Sequence, residues 1–286
     1  HTRSFHVTGV QTCALPISWT EGARHFVEQC LSGARGRQFQ MHEQHDVGVS
    51  RQCHIVATIG AVLANDVDAS AVHMLDGGDV EGAKRAAQTN VQALVRWVDQ
   101  GYTIAAINPT CSLMMKEEYP ELLDGSDPTL KDAAVRVARA TRDLGEYLYE
   151  RRQAGEFKED FKSTPNGPVA YHAPCHLRKQ NVGFRGRDLM RRIPGVTPKL
   201  VSKCCGHDGT WAMKTEYFAL SLKNGQRAFD GMQEASAEVW TTECPLAGVQ
   251  FTQACGREPL HPVEVLDKAY RADGFPTPVP APDETK

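Results

Sequence analysis

From position 79 onward, stretches with apolar residues at helical spacing alternate with short, wholly apolar runs, which predicts helices and strands in alternation. Asp79 can cap a helix whose apolar face runs through Ala83, Ala87, Val91, Leu94 and Val98, and Gly101 ends it. Tyr102 to Asn108 reads as a buried strand running directly into Pro109-Thr110-Cys111. Asp127-Pro128 opens a second helix, with Leu130, Ala133, Val137, Ala140, Leu144 and Leu148 on one face, continuous to about Gly155. The polar segment 156–168 then reads as a linker. After it, Val169 to His172 forms a short strand feeding Pro174-Cys175-His176, and Leu200-Val201 is an apolar patch feeding Cys204-Cys205-Gly206. A helix over Thr215 to Ser236, using Phe218, Leu222, Ala228 and Met232, precedes a strand from Glu238 to Thr242 that feeds Cys244. A last helix starts near Pro262 with Val263, Val265, Leu266 and Ala269 inward, and the Pro-rich end, 273–286, reads as a loose tail.

This alternation predicts an α/β fold with short parallel strands and flanking helices. It also contains a repeat. Asp76-Gly77-Gly78, a helix, a strand and Pro109-Thr110-Cys111 are echoed by Asp208-Gly209, a helix, a strand and Thr242-Glu243-Cys244, with glycine-to-cysteine spans of 33 and 35 positions. Two βα-type modules in tandem are expected, each placing cysteines just after strands, where ligands gather in parallel sheets.

Composition narrows the partners. With 286 residues, 41% hydrophobic and 23% charged, the chain can build a core and is not a disordered type. Its net charge of −3 provides no positive field for a phosphate backbone, so nucleic acid is not expected as a partner. The most apolar stretch, Ile55 to Ala64, is about half the ~20 residues of a membrane span, so no transmembrane segment is expected either. Nine cysteines, an odd number that includes an adjacent pair and comes without a secretory leader, favour reduced thiols over a disulfide framework and imply a cytoplasmic setting. The segment Val7 to Ile17 looks like a translated sequencing adapter, so 1–18 is set aside from the fold and Cys13 from the ligands.

Four thiols, Cys175, Cys204, Cys205 and Cys244, fall in three strand-to-helix loops, with 28 residues between the first two and 38 between the last two. Loops at one end of a sheet can bring all four together, and iron–sulfur clusters take thiolates, usually four. Gly206 would let backbone amides approach the sulfurs. The alternatives are a structural zinc module or a thiol-redox site at the adjacent pair Cys204-Cys205; the chain has no C-x-x-C, which both would favour. His172, His176 and His207 flank these loops as candidate hydrogen-bond donors to sulfur. Asp208 reads as a turn cap. The basic run Arg178, Lys179, Arg185, Arg187, Arg191 and Arg192 offers charge to offset thiolates or to dock an acidic partner, or is simply a solvated face.

The strings Tyr171-His172-Ala173-Pro174-Cys175-His176, Cys204-Cys205-Gly206-His207-Asp208-Gly209 and Cys244-Pro245-Leu246-Ala247 resemble the cysteine-rich CCG domain family. That family includes the C subunit of anaerobic glycerol-3-phosphate dehydrogenase and the B subunit of heterodisulfide reductase. Leu75-Asp76-Gly77-Gly78-Asp79 and Asn108-Pro109-Thr110-Cys111-Ser112-Leu113 resemble a first repeat of the former type. The resemblance implies tandem cysteine-rich modules, 74–155 and 169–272. It also implies an iron–sulfur cluster of the 4Fe-4S type on Cys175, Cys204, Cys205 and Cys244, with Cys111 facing the same region. The function it implies is electron transfer between a flavoprotein dehydrogenase subunit and a quinone or membrane-anchor acceptor, in anaerobic respiration, by a subunit that is no stand-alone enzyme. Heterodisulfide reductase kinship keeps thiol/disulfide redox as the alternative. Such a subunit sits in the cytoplasm, peripheral to the membrane through its partners. The family's first Cys-Cys-Gly should fall just before Met74, where the chain has Ala69, Ser70, Ala71, Val72 and His73, so 19–73 reads as the damaged start of the first module. Cys30, Cys53 and Cys255 lie outside the motifs and read as incidental or structural.

Overall fold

The computed structural model describes residues 55–58, 61–64, 74, 75, 77–209 and 211–279, with side chains from 74 onward. Ala69 to His73 and the adapter-like segment lie outside the described residues, as do Cys13, Cys30 and Cys53. Two small sheets lie in sequence order. The first joins β1 (Ile55–Thr58), β2 (Ala61–Ala64), β3 (Thr103–Ala106) and β4 (Thr141–Asp143) in that order; β1 and β2 are antiparallel and the rest parallel. A short antiparallel pair joins β5 (Ser163–Thr164) to the chain's last strand (Thr277–Pro278). The second sheet is wholly parallel, with β6 (Val169–His172) between β7 (Lys199–Val201) and β8 (Val239–Thr242). The α/β class is as expected.

Helix α1 (Val80–Val98) begins at the expected cap: the Asp79 carboxylate accepts from Gly82 N at 2.8 Å, an interaction worth about 1 kcal/mol. The long helix expected from Asp127 to Gly155 is instead two. Helix α4 (Pro128–Ala140) stops at β4, and α5 (Leu144–Gln153) starts afresh, after α2 (Pro109–Leu113) and α3 (Tyr119–Leu122). A capping box causes the break: Asp143 accepts from Gly145 N at 3.0 Å, while Glu146 reaches back to Asp143 N at 3.1 Å. β-branched Thr141 pairs with Ile104 instead of continuing the turn. The apolar spacing runs through this break because both helices face inward.

The remaining helices are α6 (Cys175–Lys179), α7 (Arg185–Met190), α8 (Thr215–Glu234), α9 (Pro245–Cys255) and α10 (Pro262–Tyr270). One core joins both halves: Ala105, Ile107, Leu144 and Leu148 pack with Tyr171, Leu189, Val263 and Leu266. Phe157 and Phe161, inside the segment read as a linker, are buried in that same core. The tail is likewise held as far as Pro278, by its pairing with β5. Among the described residues no helix is long and apolar enough to cross a membrane.

Candidate metal-binding site

Parallel strands end on the same side, and the second sheet has three such ends. β6 leads through Ala173-Pro174 to Cys175, the first residue of α6. β7 leads through Ser202-Lys203 to Cys204 and Cys205. β8 leads through Glu243 to Cys244, which caps α9 with Pro245 at its first turn. The architecture therefore delivers the three cysteine loops to one edge of one sheet.

Cys175 and Cys204 are exposed, Cys205 is buried and Cys244 is half-buried. Burial pushes the Cys205 thiol up to about 12, and thiolate charge on Cys204 and Cys175 would push it further in the same direction. The protein crowds Cys175 densely enough to raise its thiol too, with Cys204 the second cause. Three thiols that discourage one another's ionisation lie close together, and a cation among them would remove that cost and deprotonate them outright. The donor set therefore fits a thiolate-bound metal group. Among the described residues no three His, Cys, Asp or Glu side chains converge as the ligands of a single ion must. A cluster places its irons at separate corners, so its thiolates stand apart.

Gly206 is needed twice. Its φ of +79° favours glycine, and a Cβ there would sit 2.2 Å from the Ser221 carbonyl oxygen and 2.7 Å from Gly225 N. A Cβ on Gly225 would in turn meet the Cys205 carbonyl oxygen at 2.3 Å. The Cys205-Gly206 backbone thus lies directly on α8. In this position Gly206 N donates to Cys204 Sγ at 3.4 Å, the amide-to-sulfur approach anticipated from the sequence.

The histidines divide. His172 does not reach a sulfur: it is buried, with Nδ1 3.1 Å from Thr242 Oγ1 and Nε2 2.9 Å from the Lys203 carbonyl oxygen. Burial lowers its pKa to about 4, so the ring is neutral. His176 Nδ1 lies 2.7 Å from Thr110 Oγ1. His207 is buried within the Cys-Cys-Gly loop. The basic run is mostly neutralised locally: Lys179 pairs with Glu117, Arg185 and Arg187 with Asp188, and Arg192 with Glu159. Arg178 is the member whose charge acts on Cys175. Asp208 is exposed at a φ of +51°, and its backbone oxygen accepts from Trp211 N, forming the turn before α8.

Cys111 sits half-buried in α2, which packs on α6. Gln180 Nε2 donates to Ser112 Oγ at 2.8 Å and, with the Thr110–His176 contact, joins the helix of Cys111 to that of Cys175. Cys255, at the end of α9, packs against a core cluster that includes Cys205. Sequence reasoning missed Thr242, Tyr171 and Glu243. Glu243 is buried beside Cys244, accepts from the Tyr171 hydroxyl at 2.8 Å, and is held protonated by burial and by Asp143. A carboxylate residue between a buried strand and a cysteine was the available signal.

Residues 169–252 match the sequence profile of the CCG family, described as a cysteine-rich domain. The chain is 28% identical over 216 residues to the C subunit of the anaerobic glycerol-3-phosphate dehydrogenase of Escherichia coli K12, covering 73% of this chain and 51% of that protein. It is 24% identical over 137 residues to lactate utilization protein A of Oceanobacillus iheyensis, covering 46% of this chain and 54% of that protein. The chain thus spans about half the length of these curated relatives. The four thiols of the second sheet all fall inside the matched region, and this chain belongs, through residues 169–252, to the cysteine-rich CCG domain family.

Proposed function

We propose that Cys175, Cys204, Cys205 and Cys244 hold an iron–sulfur cluster, of the 4Fe-4S type, and that the chain relays electrons as one subunit of a larger oxidoreductase. The observation that carries this reading is the delivery of three thiol-bearing loops to one edge of a parallel sheet, with Cys175, Cys204 and Cys205 close enough to raise one another's pKa. When bound, the cluster supplies one-electron chemistry. The chain's own part is to hold four thiolates apart at fixed spacing and, through Gly206 N on Cys204 Sγ, to set the polarity around one of them.

The relatives' names support the setting: a subunit of an anaerobic glycerol-3-phosphate dehydrogenase points to a flavoprotein donor and a quinone or membrane-anchor acceptor. Met213, Tyr217, Phe218 and Leu220, exposed on and just before the first turns of α8, extend that helix's apolar stripe past its core and suit the face that a partner protein would cover. A tandem-module origin accords with the matching starts of α5 and α10. Each follows a segment parallel to the preceding strand, Thr141 beside Ile104 and Leu260 beside Thr241, and each opens with a capping box, Asp143–Glu146 and His261–Glu264. The thiol/disulfide alternative needs a reactive thiolate, whereas Cys205 is buried with its thiol at about 12.

Anaerobic reconstitution tests the reading. Iron and acid-labile sulfide in comparable amounts per chain, with a broad visible absorbance, are expected; stoichiometric zinc without sulfide would overturn it.

A further inference from the structure

We propose that His172 is the positioning residue of the cysteine loops, joining the backbone just before Cys204 to the amide of Cys244 by a hydrogen-bond chain of fixed direction. The direction follows from the end groups. The Lys203 carbonyl can only accept, so His172 Nε2, 2.9 Å away, carries the proton. In a neutral ring Nδ1 is then an acceptor, and Thr242 Oγ1 at 3.1 Å must donate to it. The hydroxyl's lone pairs are left for Cys244 N, which donates to Thr242 Oγ1 at 3.3 Å. The chain runs Cys244 N–H, Thr242 O–H, His172 Nε2–H, Lys203 C=O.

The ring cannot rotate out of this arrangement. It lies edge-on to Phe251 of α9, with centroids 5.0 Å apart and planes at 76°. It is 1% exposed, with β-strand backbone on both sides. His172 itself is three residues before Cys175, so a single imidazole fixes the ends of β6, β7 and β8, the three strands from which all four thiols depart. Ligand loops held this way keep their sulfurs at set separations, and loss of such outer-shell support typically weakens metal sites roughly 10- to 100-fold.

The test uses the full chain and the pair Thr242→Val, which keeps the shape and loses the hydroxyl, and Thr242→Ser, which keeps the hydroxyl. Amide hydrogen exchange at Cys244 is read in the metal-free protein, relative to Gly82, which is capped by Asp79 in the other half. Thr242→Val should exchange roughly five- to tenfold faster at Cys244, and Thr242→Ser at the wild-type rate. Should Thr242→Val not fold, His172→Gln, whose amide spans one loop but not both, replaces it with the same expectation. A second readout, iron per chain after reconstitution, should fall about tenfold in Thr242→Val and recover in Thr242→Ser. That readout rests on the iron–sulfur reading, whereas the exchange does not. A wild type that takes up no iron sinks the reading and leaves the exchange to decide the chain. Equal Cys244 exchange in wild type and Thr242→Val overturns the proposal.

Discussion

Alanine at Cys175, Cys204, Cys205 or Cys244, one at a time, is expected to strip the reconstituted chain of most of its iron, while Cys255→Ala keeps it. A methyl group cannot donate to iron, so each loss should exceed the roughly tenfold effect that outer-shell changes alone produce. Cys255 is the informative control. It is also a free, half-buried thiol, and it packs in the same core cluster as Cys205, so a non-specific effect of removing a cysteine would appear there too. Cys111→Ala separates two versions of the site. Its helix touches that of Cys175 through Thr110–His176, yet Cys111 lies outside the matched domain, and a self-sufficient second half predicts unchanged iron. Equal iron in all six variants would refute the ligand assignment.

The second large effect concerns stability. Asp143 is fully buried, and burial raises its carboxyl to about 7. An unfolded aspartate ionises near 3.9, so folding favours the protonated form: the stabilisation is complete below about pH 4 and is lost as pH rises through about 7. Over that window the loss reaches up to about 4 kcal/mol. Buried, neutral His172 and His261, both lowered to about 4, run the opposite way, losing stability as pH falls below the usual histidine range. The wild-type curve is therefore a sum, and the Asp143 part is isolated by comparing it with Asp143→Asn. Asparagine keeps an N-cap oxygen for Gly145 and cannot ionise. Chemical denaturation at pH 5 and pH 8 should show Asn gaining on Asp by several-fold in folding equilibrium between the two. A difference that is the same at both pH values contradicts this role for Asp143.

The elements that carry thiols were legible because short apolar runs ending in Pro-Cys or Cys-Cys have few other readings: the spacing predicts β6 from Val169 to His172 and α8 from Thr215, as the structure has them. The break at Thr141 was not legible, because Leu144 and Leu148 continue the spacing of Ala133 and Val137 while belonging to a different helix that faces the same core. Nor does periodicity say which faces meet. Ala105 and Ile107 of the first sheet and Tyr171 of the second share one core, and the sequence showed only that each was apolar. The place of His172 next to Cys175 in the chain points its ring toward sulfur, yet that ring is held by the two adjacent strand ends. Strand order, β7-β6-β8, made that possible: it puts β6 in the middle, and the order of strands is not written in local spacing.

The proposed function stands or falls on a one-electron centre at the thiols of the second sheet. Electron paramagnetic resonance of the reconstituted chain, recorded before and after stepwise chemical reduction, detects such a centre without intermediaries. A signal that appears and disappears reversibly over one electron per cluster, and that is absent from Cys204→Ala, is expected. A chain that takes up electrons two at a time, with loss of a disulfide and no paramagnetic signal at any stage, would contradict it.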